Sequence, residues 1–85
     1  GFAVADAYPN PFNPTITVPF IVPESGEVVI SLTNTLGQTV HSESLAYSAG
    51  QHQVVLNASQ HASGVYLLQV KYSDQSVQQK ILLMK

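Results

Sequence analysis

Residues 15–33 read TITVPFIVPESGEVVISLT and contain two apolar alternations separated by a turn sequence. Every second residue of the first run is large and apolar: Ile16, Val18, Phe20 and Val22. The second run repeats this spacing at Val28, Ile30 and Leu32. Because side chains of a strand point alternately to opposite faces, the spacing predicts two β-strands that each bury one face. Pro23 fixes φ in the intervening turn, and Gly26 can take a positive φ that returns the chain into the second strand.

The same period of two recurs along the rest of the chain. Further strands are predicted around Val40 and over residues 51–57, 65–71 and 77–84, with turns rich in Gly, Asn and Ser between them. No window carries the three-to-four-residue spacing of a helix. Six or seven short strands at intervals of about 8–12 residues predict an all-β fold, a β-sandwich or a barrel, in which successive hairpins favour antiparallel pairing. We expect residues 1–85 to form a single domain, with residues 1–7 as a linker or a first strand.

Pro19 interrupts the first of these strands. Proline has no N–H to donate to a β ladder, so it is found mainly at sheet edges or bulges. We therefore expect the strand that contains Pro19 to lie at an edge or to carry a bulge.

The composition excludes several classes of function. Only 9% of the residues are charged, three are lysine, none is arginine, and the net charge is −2, which excludes nucleic-acid binding. There is no cysteine, and His41, His52 and His61 fall on separate predicted elements. No nucleophile motif or phosphate-binding glycine loop is present. The sequence predicts a non-catalytic domain without cofactor or resident metal, leaving open only calcium at the turn-forming Asp6, Asn10 and Asn13.

The most distinctive stretch is YPNPFNP, which comprises Tyr8, Pro9, Asn10, Pro11, Phe12, Asn13 and Pro14. Three prolines so close together exclude a helix and favour extended backbone before each of them. We expect Asn10 and Asn13 to form local turns with the backbone two residues on. The rings of Tyr8 and Phe12 are expected to pin the segment to the sandwich. Its role is interpreted as structural first, and as a partner-contacting surface second.

Three further residues have predicted structural roles, and the C-terminus has a second possible one. Gly37 lies in a hairpin turn and Gly64 at the start of a core strand, where positive φ is useful. Tyr66 is expected to bury its ring and keep its hydroxyl at a polar edge, as in a tyrosine corner. The last six residues, Lys80, Ile81, Leu82, Leu83, Met84 and Lys85, predict a final strand with both lysines in solvent.

The order of YPNPFNP, NTLGQTV, ASGVYLLQV and KILLMK resembles the type IX secretion C-terminal sorting domain, found on exported proteins of Bacteroidota. The resemblance covers residues 8–85 and implies an immunoglobulin-like antiparallel β-sandwich of about seven short strands. It implies that the domain addresses an upstream cargo protein in the same chain, exported through the periplasm, to the cell surface or the medium. The implied partners are the outer-membrane type IX translocon and a sortase-like protease that removes the domain.

The resemblance also implies that residues Lys80–Lys85 are presented to the translocon, for which strand addition is a suitable mode. One alternative stays open from the residues themselves. Small β-sandwiches on secreted hydrolases bind carbohydrate or act as spacers, and Tyr47 and Tyr72 are the candidates for exposed rings.

Overall fold

Seven β-strands and no helix make up the chain in a computed structural model that describes all 85 residues. The strands are β1 (Ala3–Val4), β2 (Thr15–Val22), β3 (Gly26–Thr33), β4 (Thr39–Tyr47), β5 (Gly50–Asn57), β6 (Gly64–Tyr72) and β7 (Gln75–Leu83). There is accordingly no helix that is long and apolar enough to span a membrane.

The strands form two sheets. One has the order β1-β2-β5 and the other the order β4-β3-β6-β7. Every pair of neighbouring strands is antiparallel. The sheets pack against each other, and all 16 buried residues belong to one apolar core. The all-β sandwich of about seven short strands predicted from the sequence is therefore confirmed.

The core follows directly from the apolar alternation. The inward residues of the central strands β2, β3 and β6 are fully buried: Ile16, Val18, Phe20, Val22, Val28, Ile30, Leu32, Leu68 and Val70. No polar or charged residue is buried, and no buried side-chain polar atom lacks a hydrogen-bond partner. Because burial of one large apolar side chain contributes about 1.5–3 kcal/mol, these strands supply most of the favourable free energy of folding.

Pro19 does not lie at an edge, and the prediction that it would is wrong. Its strand β2 is the middle strand of the three-stranded sheet and pairs with β5 without a bulge. The Pro19 carbonyl faces β1 and accepts a hydrogen bond from the Ala5 N–H at 3.0 Å. In a regular antiparallel ladder, the N–H of residue 19 would donate a hydrogen bond to the Ala5 oxygen, but proline has no N–H. The Gln79 side chain donates there instead, from Nε2 at 2.7 Å. A side-chain amide thus replaces the missing main-chain donor.

The turn between β3 and β4 is built by Asn34 and Gly37. The Asn34 Oδ1 accepts hydrogen bonds from the backbone N–H groups of Leu36 and Gln38, both at 3.0 Å. Gly37 has a φ of +83°, a conformation that costs little only for glycine.

Gly26 has a different role from the one expected. It lies outside the positive-φ region, so it does not turn the chain by left-handed backbone. A Cβ at this position would lie 3.0 Å from the Tyr72 Cε1 atom. Glycine is needed here because the aromatic ring packs directly over the main chain.

Candidate functional site

The segment Tyr8–Pro14, called the leader below, joins β1 to β2 and lies along the outer edge of β7. The Phe12 N–H donates to the Leu82 oxygen at 2.9 Å, and the Phe12 oxygen accepts from the Met84 N–H at 3.0 Å. These two bonds form a parallel bridge between Phe12 and Leu83. Leu82 lies opposite Val65 of β6, but its carbonyl group points away from β6 and is engaged by the leader. The leader therefore acts as a short additional strand beside the C-terminus.

The two aromatic residues of the leader have different environments. Phe12 is 2% exposed and belongs to the core, whereas Tyr8 is 52% exposed. The expectation that both rings pin the leader is wrong for Tyr8. This residue is held through its backbone, because it exchanges two main-chain hydrogen bonds with Thr17, at 2.9 and 2.7 Å.

Asn10 does not form the local turn predicted for it. Its Oδ1 accepts a hydrogen bond from the Leu82 N–H at 3.0 Å, and its Nδ2 donates to the Lys80 oxygen at 3.1 Å. The local turn would require the Phe12 N–H, which already donates to Leu82. Asn13 likewise makes no side-chain hydrogen bond of the predicted kind, since none joins it to the backbone two residues on. The Asn10 amide thus imitates a peptide group and extends the ladder along β7 by one step.

Gln79 was not singled out by the sequence, yet it continues the same contact. Its Oε1 accepts from the Ala7 N–H at 2.9 Å, while its Nε2 donates to the Ala5 oxygen. Two side-chain amides, from Asn10 and Gln79, therefore connect the N-terminal quarter of the chain to β7. The only sequence signal for Gln79 was the missing donor of Pro19, which requires a replacement from elsewhere.

The last six residues, Lys80–Lys85, are called the terminal segment. Ile81 and Leu83 point inward and are fully buried in the core. The alternate residues Lys80, Leu82 and Met84 face outward, and Met84 is 55% exposed. The segment therefore presents side chains to solvent, while the main chain around Leu82 is already covered. Strand addition at Leu82, as the sequence suggested, requires the leader to be displaced first.

The final lysine is not simply solvated. Lys85 Nζ donates to the Ser59 oxygen at 2.6 Å, and the Lys85 N–H donates to the Ser63 Oγ at 3.0 Å. Lys80 is exposed, and no carboxylate lies within ion-pair distance of either side chain. Neither positive charge of the terminal segment is therefore neutralised by a carboxylate, and the Lys85 ammonium group is held by the Ser59 oxygen.

The predicted structural residues of the β6 region lie beside this segment. Gly64 has a φ of +151° and pairs with Leu83 at the start of β6. The Tyr66 ring is buried, and its hydroxyl donates to the Ala62 oxygen four residues upstream, at 2.5 Å. This is the contact of a tyrosine corner, which fixes the connection that enters β6.

The remaining titratable and aromatic groups lie elsewhere. His41 pairs with Glu43 at 3.0 Å and His52 contacts the Ser48 oxygen, so the histidines do not converge, and no three metal-ligating side chains form a group. Asn10, offered above as a calcium ligand, has both ends of its amide engaged by β7. Burial, followed by the negative charge of Glu43, raises the pKa of Tyr47 above 10.0.

Tyr47 and Tyr72 do not provide a row of exposed rings. The Tyr47 ring packs edge-on against Phe20 at a centroid distance of 5.0 Å. The Tyr72 ring stacks on Phe2 at 5.2 Å. Both side chains are partly buried against the core, so the expectation that they are exposed is wrong. Nothing in the structure favours the carbohydrate-binding alternative.

Comparison with known proteins gives one clear result. No curated protein matches the sequence. The family model described as the secretion system C-terminal sorting domain matches residues 6–84, which include the leader and all of the terminal segment except Lys85. The chain therefore belongs to the family of type IX secretion C-terminal sorting domains, which are sorting signals and are themselves non-catalytic.

Proposed function

We propose that the outer-membrane translocon of type IX secretion recognises the terminal segment through its outward side chains, Lys80, Leu82, Met84 and Lys85. Membership of the family implies export to the surface or the medium and contact with the type IX machinery in general. The single observation that supports the finer statement is that the leader engages both main-chain groups of Leu82. The Phe12 N–H donates to the Leu82 oxygen, and the Asn10 Oδ1 accepts from the Leu82 N–H. Because the main-chain groups of Leu82 are already bonded, a partner would recognise this segment through its outward side chains.

The proposed sequence of events places the domain between two compartments. The cargo and this domain cross the periplasm together, the translocon binds the terminal segment, and a sortase-like protease then separates the domain from the cargo. The domain is a substrate in that cleavage. Its own part is to hold the terminal segment in one conformation, because a pre-ordered recognition element binds with a smaller entropic cost.

Point variants test this better than removal of the whole segment, since deletion would also remove Ile81 and Leu83 from the core. The test variant is Lys80→Glu with Met84→Ser, in which both altered side chains are exposed. The matched control is Lys71→Glu with Leu36→Ser, which changes one exposed lysine and one exposed apolar residue elsewhere.

A reporter fused before the domain is expressed in a bacterium that has type IX machinery, and its accessibility to external protease is measured. We expect the test variant to lower surface delivery at least about tenfold, the ratio that corresponds to about 1.4 kcal/mol of recognition free energy. The control should stay close to the unaltered domain. Equal delivery of both variants, with unfolding curves unchanged, would show that these side chains are not the recognised groups.

A further inference from the structure

Four strands of the sandwich are sheet edges, and three of them are protected against pairing with another chain. β1 is two residues long, which is too short to template a ladder. β7 is covered by the leader along its C-terminal half. β4 contains the charged Glu43, and its pairing with β3 shifts in register between Leu32 and Thr33. The fourth edge, β5, has none of these protections.

The free edge of β5 consists of regularly spaced main-chain groups. Because Pro19 and Thr17 of β2 direct their main-chain groups towards β1 and the leader, the alternate residues of β2 face β5. Their partners in β5, such as His52 and Val54, face back towards β2. The N–H and C=O groups of Gln51, Gln53 and Val55 therefore point outward, and no hydrogen bond outside the strands engages them.

The sheet behind this edge is uncharged. None of the residues of β1, β2 and β5 is Asp, Glu, Lys or Arg, and β5 contains no proline. Val55 on its outer face is 58% exposed. The centres of protein interfaces are depleted in charge, so this composition fits a surface that is covered by another polypeptide.

A side chain of the opposite sheet indicates where an added strand would lie. Leu45 of β4 pairs with the buried Val28 and hence faces the interior side of its sheet, but it is 53% exposed. Tyr47, two residues further along β4, packs against His52 of β5 at a centroid distance of 4.9 Å, so this part of β4 lies opposite the β5 edge. A strand added beside β5 would continue that sheet over Leu45 and cover its apolar surface.

We propose that β5 pairs with β5 of a second copy of this chain, antiparallel about a twofold axis at Gln53. The pairing joins two three-stranded sheets into one of six strands. A second copy fits this edge because a twofold axis sets each outward N–H opposite an outward C=O, and because an uncharged strand brings no like charges together. This association is independent of the sorting role and of the terminal segment.

The dimer is tested by sedimentation equilibrium of the 85-residue chain over a range of concentrations. One strand pair is a small interface, so we expect a dissociation constant on the order of 100 µM. The test variant is Gln53→Pro, which removes one outward N–H from an exposed position and keeps every bond between β2 and β5. The matched control is Gln78→Pro, at an exposed, outward-facing position of the β7 edge.

We expect Gln53→Pro to weaken association at least tenfold and Gln78→Pro to leave it within about twofold. Amide hydrogen exchange at Gln53 and Val55 should slow as the concentration rises. A chain that stays monomeric up to about 1 mM would overturn the proposal, as would association that both proline variants weaken equally. Association without protection of the Gln53 and Val55 amides would equally overturn it, because the interface would then lie elsewhere.

Discussion

Replacing Asn10 by alanine removes two hydrogen bonds that join the leader to β7, at 3.0 Å to the Leu82 N–H and 3.1 Å to the Lys80 oxygen. An intramolecular hydrogen bond contributes about 0.5–1.5 kcal/mol net, and these two are accessible to water. We therefore expect the free energy of unfolding to fall by about 1–2 kcal/mol. For a domain of this size, each kcal/mol lowers the midpoint of thermal unfolding by about 4–8 °C.

Asn13 provides the matched control within the same motif, because its side chain forms no hydrogen bond comparable to those of Asn10. Asn13→Ala should change the free energy of unfolding by less than about 0.5 kcal/mol. Unfolding in urea is followed by circular dichroism for both variants, and amide exchange is measured at Leu82 and Met84. Asn10→Ala should expose the Leu82 N–H to faster exchange, whereas the Met84 N–H keeps the Phe12 oxygen as its acceptor. Equal destabilisation by the two substitutions would refute the reasoning.

Three further substitutions test the burial of Phe12, the turn at Gly37 and the environment of Tyr47. Phe12→Ala empties a fully buried site and should cost about 3–5 kcal/mol in urea unfolding, and a loss below 1 kcal/mol would contradict the placement of its ring. Gly37→Ala meets no neighbouring atom but must keep a φ of +83°, so calorimetry should show a loss of about 1–2 kcal/mol. Because the pKa of Tyr47 is raised in the folded protein, its hydroxyl loses its proton in the unfolded chain at a lower pH than in the folded one. The free energy of unfolding should therefore fall as the pH rises above 10.0, and it should fall less steeply in Tyr47→Phe. Identical alkaline profiles for both proteins would argue against that contribution.

The strands and the core were predictable because they depend on spacing alone. The inward set of β2 and β3 follows from a period of two, whatever the rest of the chain does. The turn at Gly37 is likewise local, since the Gly37 N–H donates to the oxygen of Asn34, three residues earlier. Sheet order was not predictable in the same way. Local reasoning from Pro19 predicted that β2 is an edge strand. It can lie in the middle of its sheet because Gln79, distant in sequence, supplies the hydrogen bond to the Ala5 oxygen that proline cannot donate.

The candidate site was predictable as two separate segments and not as one contact. The two hydrogen bonds of Asn10 span 70 and 72 residues of sequence, and those of Gln79 span 72 and 74. Local rules favour turns for an asparagine near prolines, and they contain no information about an edge strand at the other end of the chain. Local sequence also does not distinguish the exposed ring of Tyr8 from the buried ring of Phe12, because burial depends on which side of the leader faces the core.

Residues 1–85 belong to a family of sorting signals, so we expect them to direct an unrelated reporter into type IX secretion. A reporter with an export signal is fused to residues 1–85 and expressed in cells with and without a functional type IX translocon. Surface-exposed reporter is then measured by external protease and antibody labelling. We expect surface delivery only when both the domain and the translocon are present. Delivery without the translocon, or periplasmic retention when both are present, would contradict this expectation.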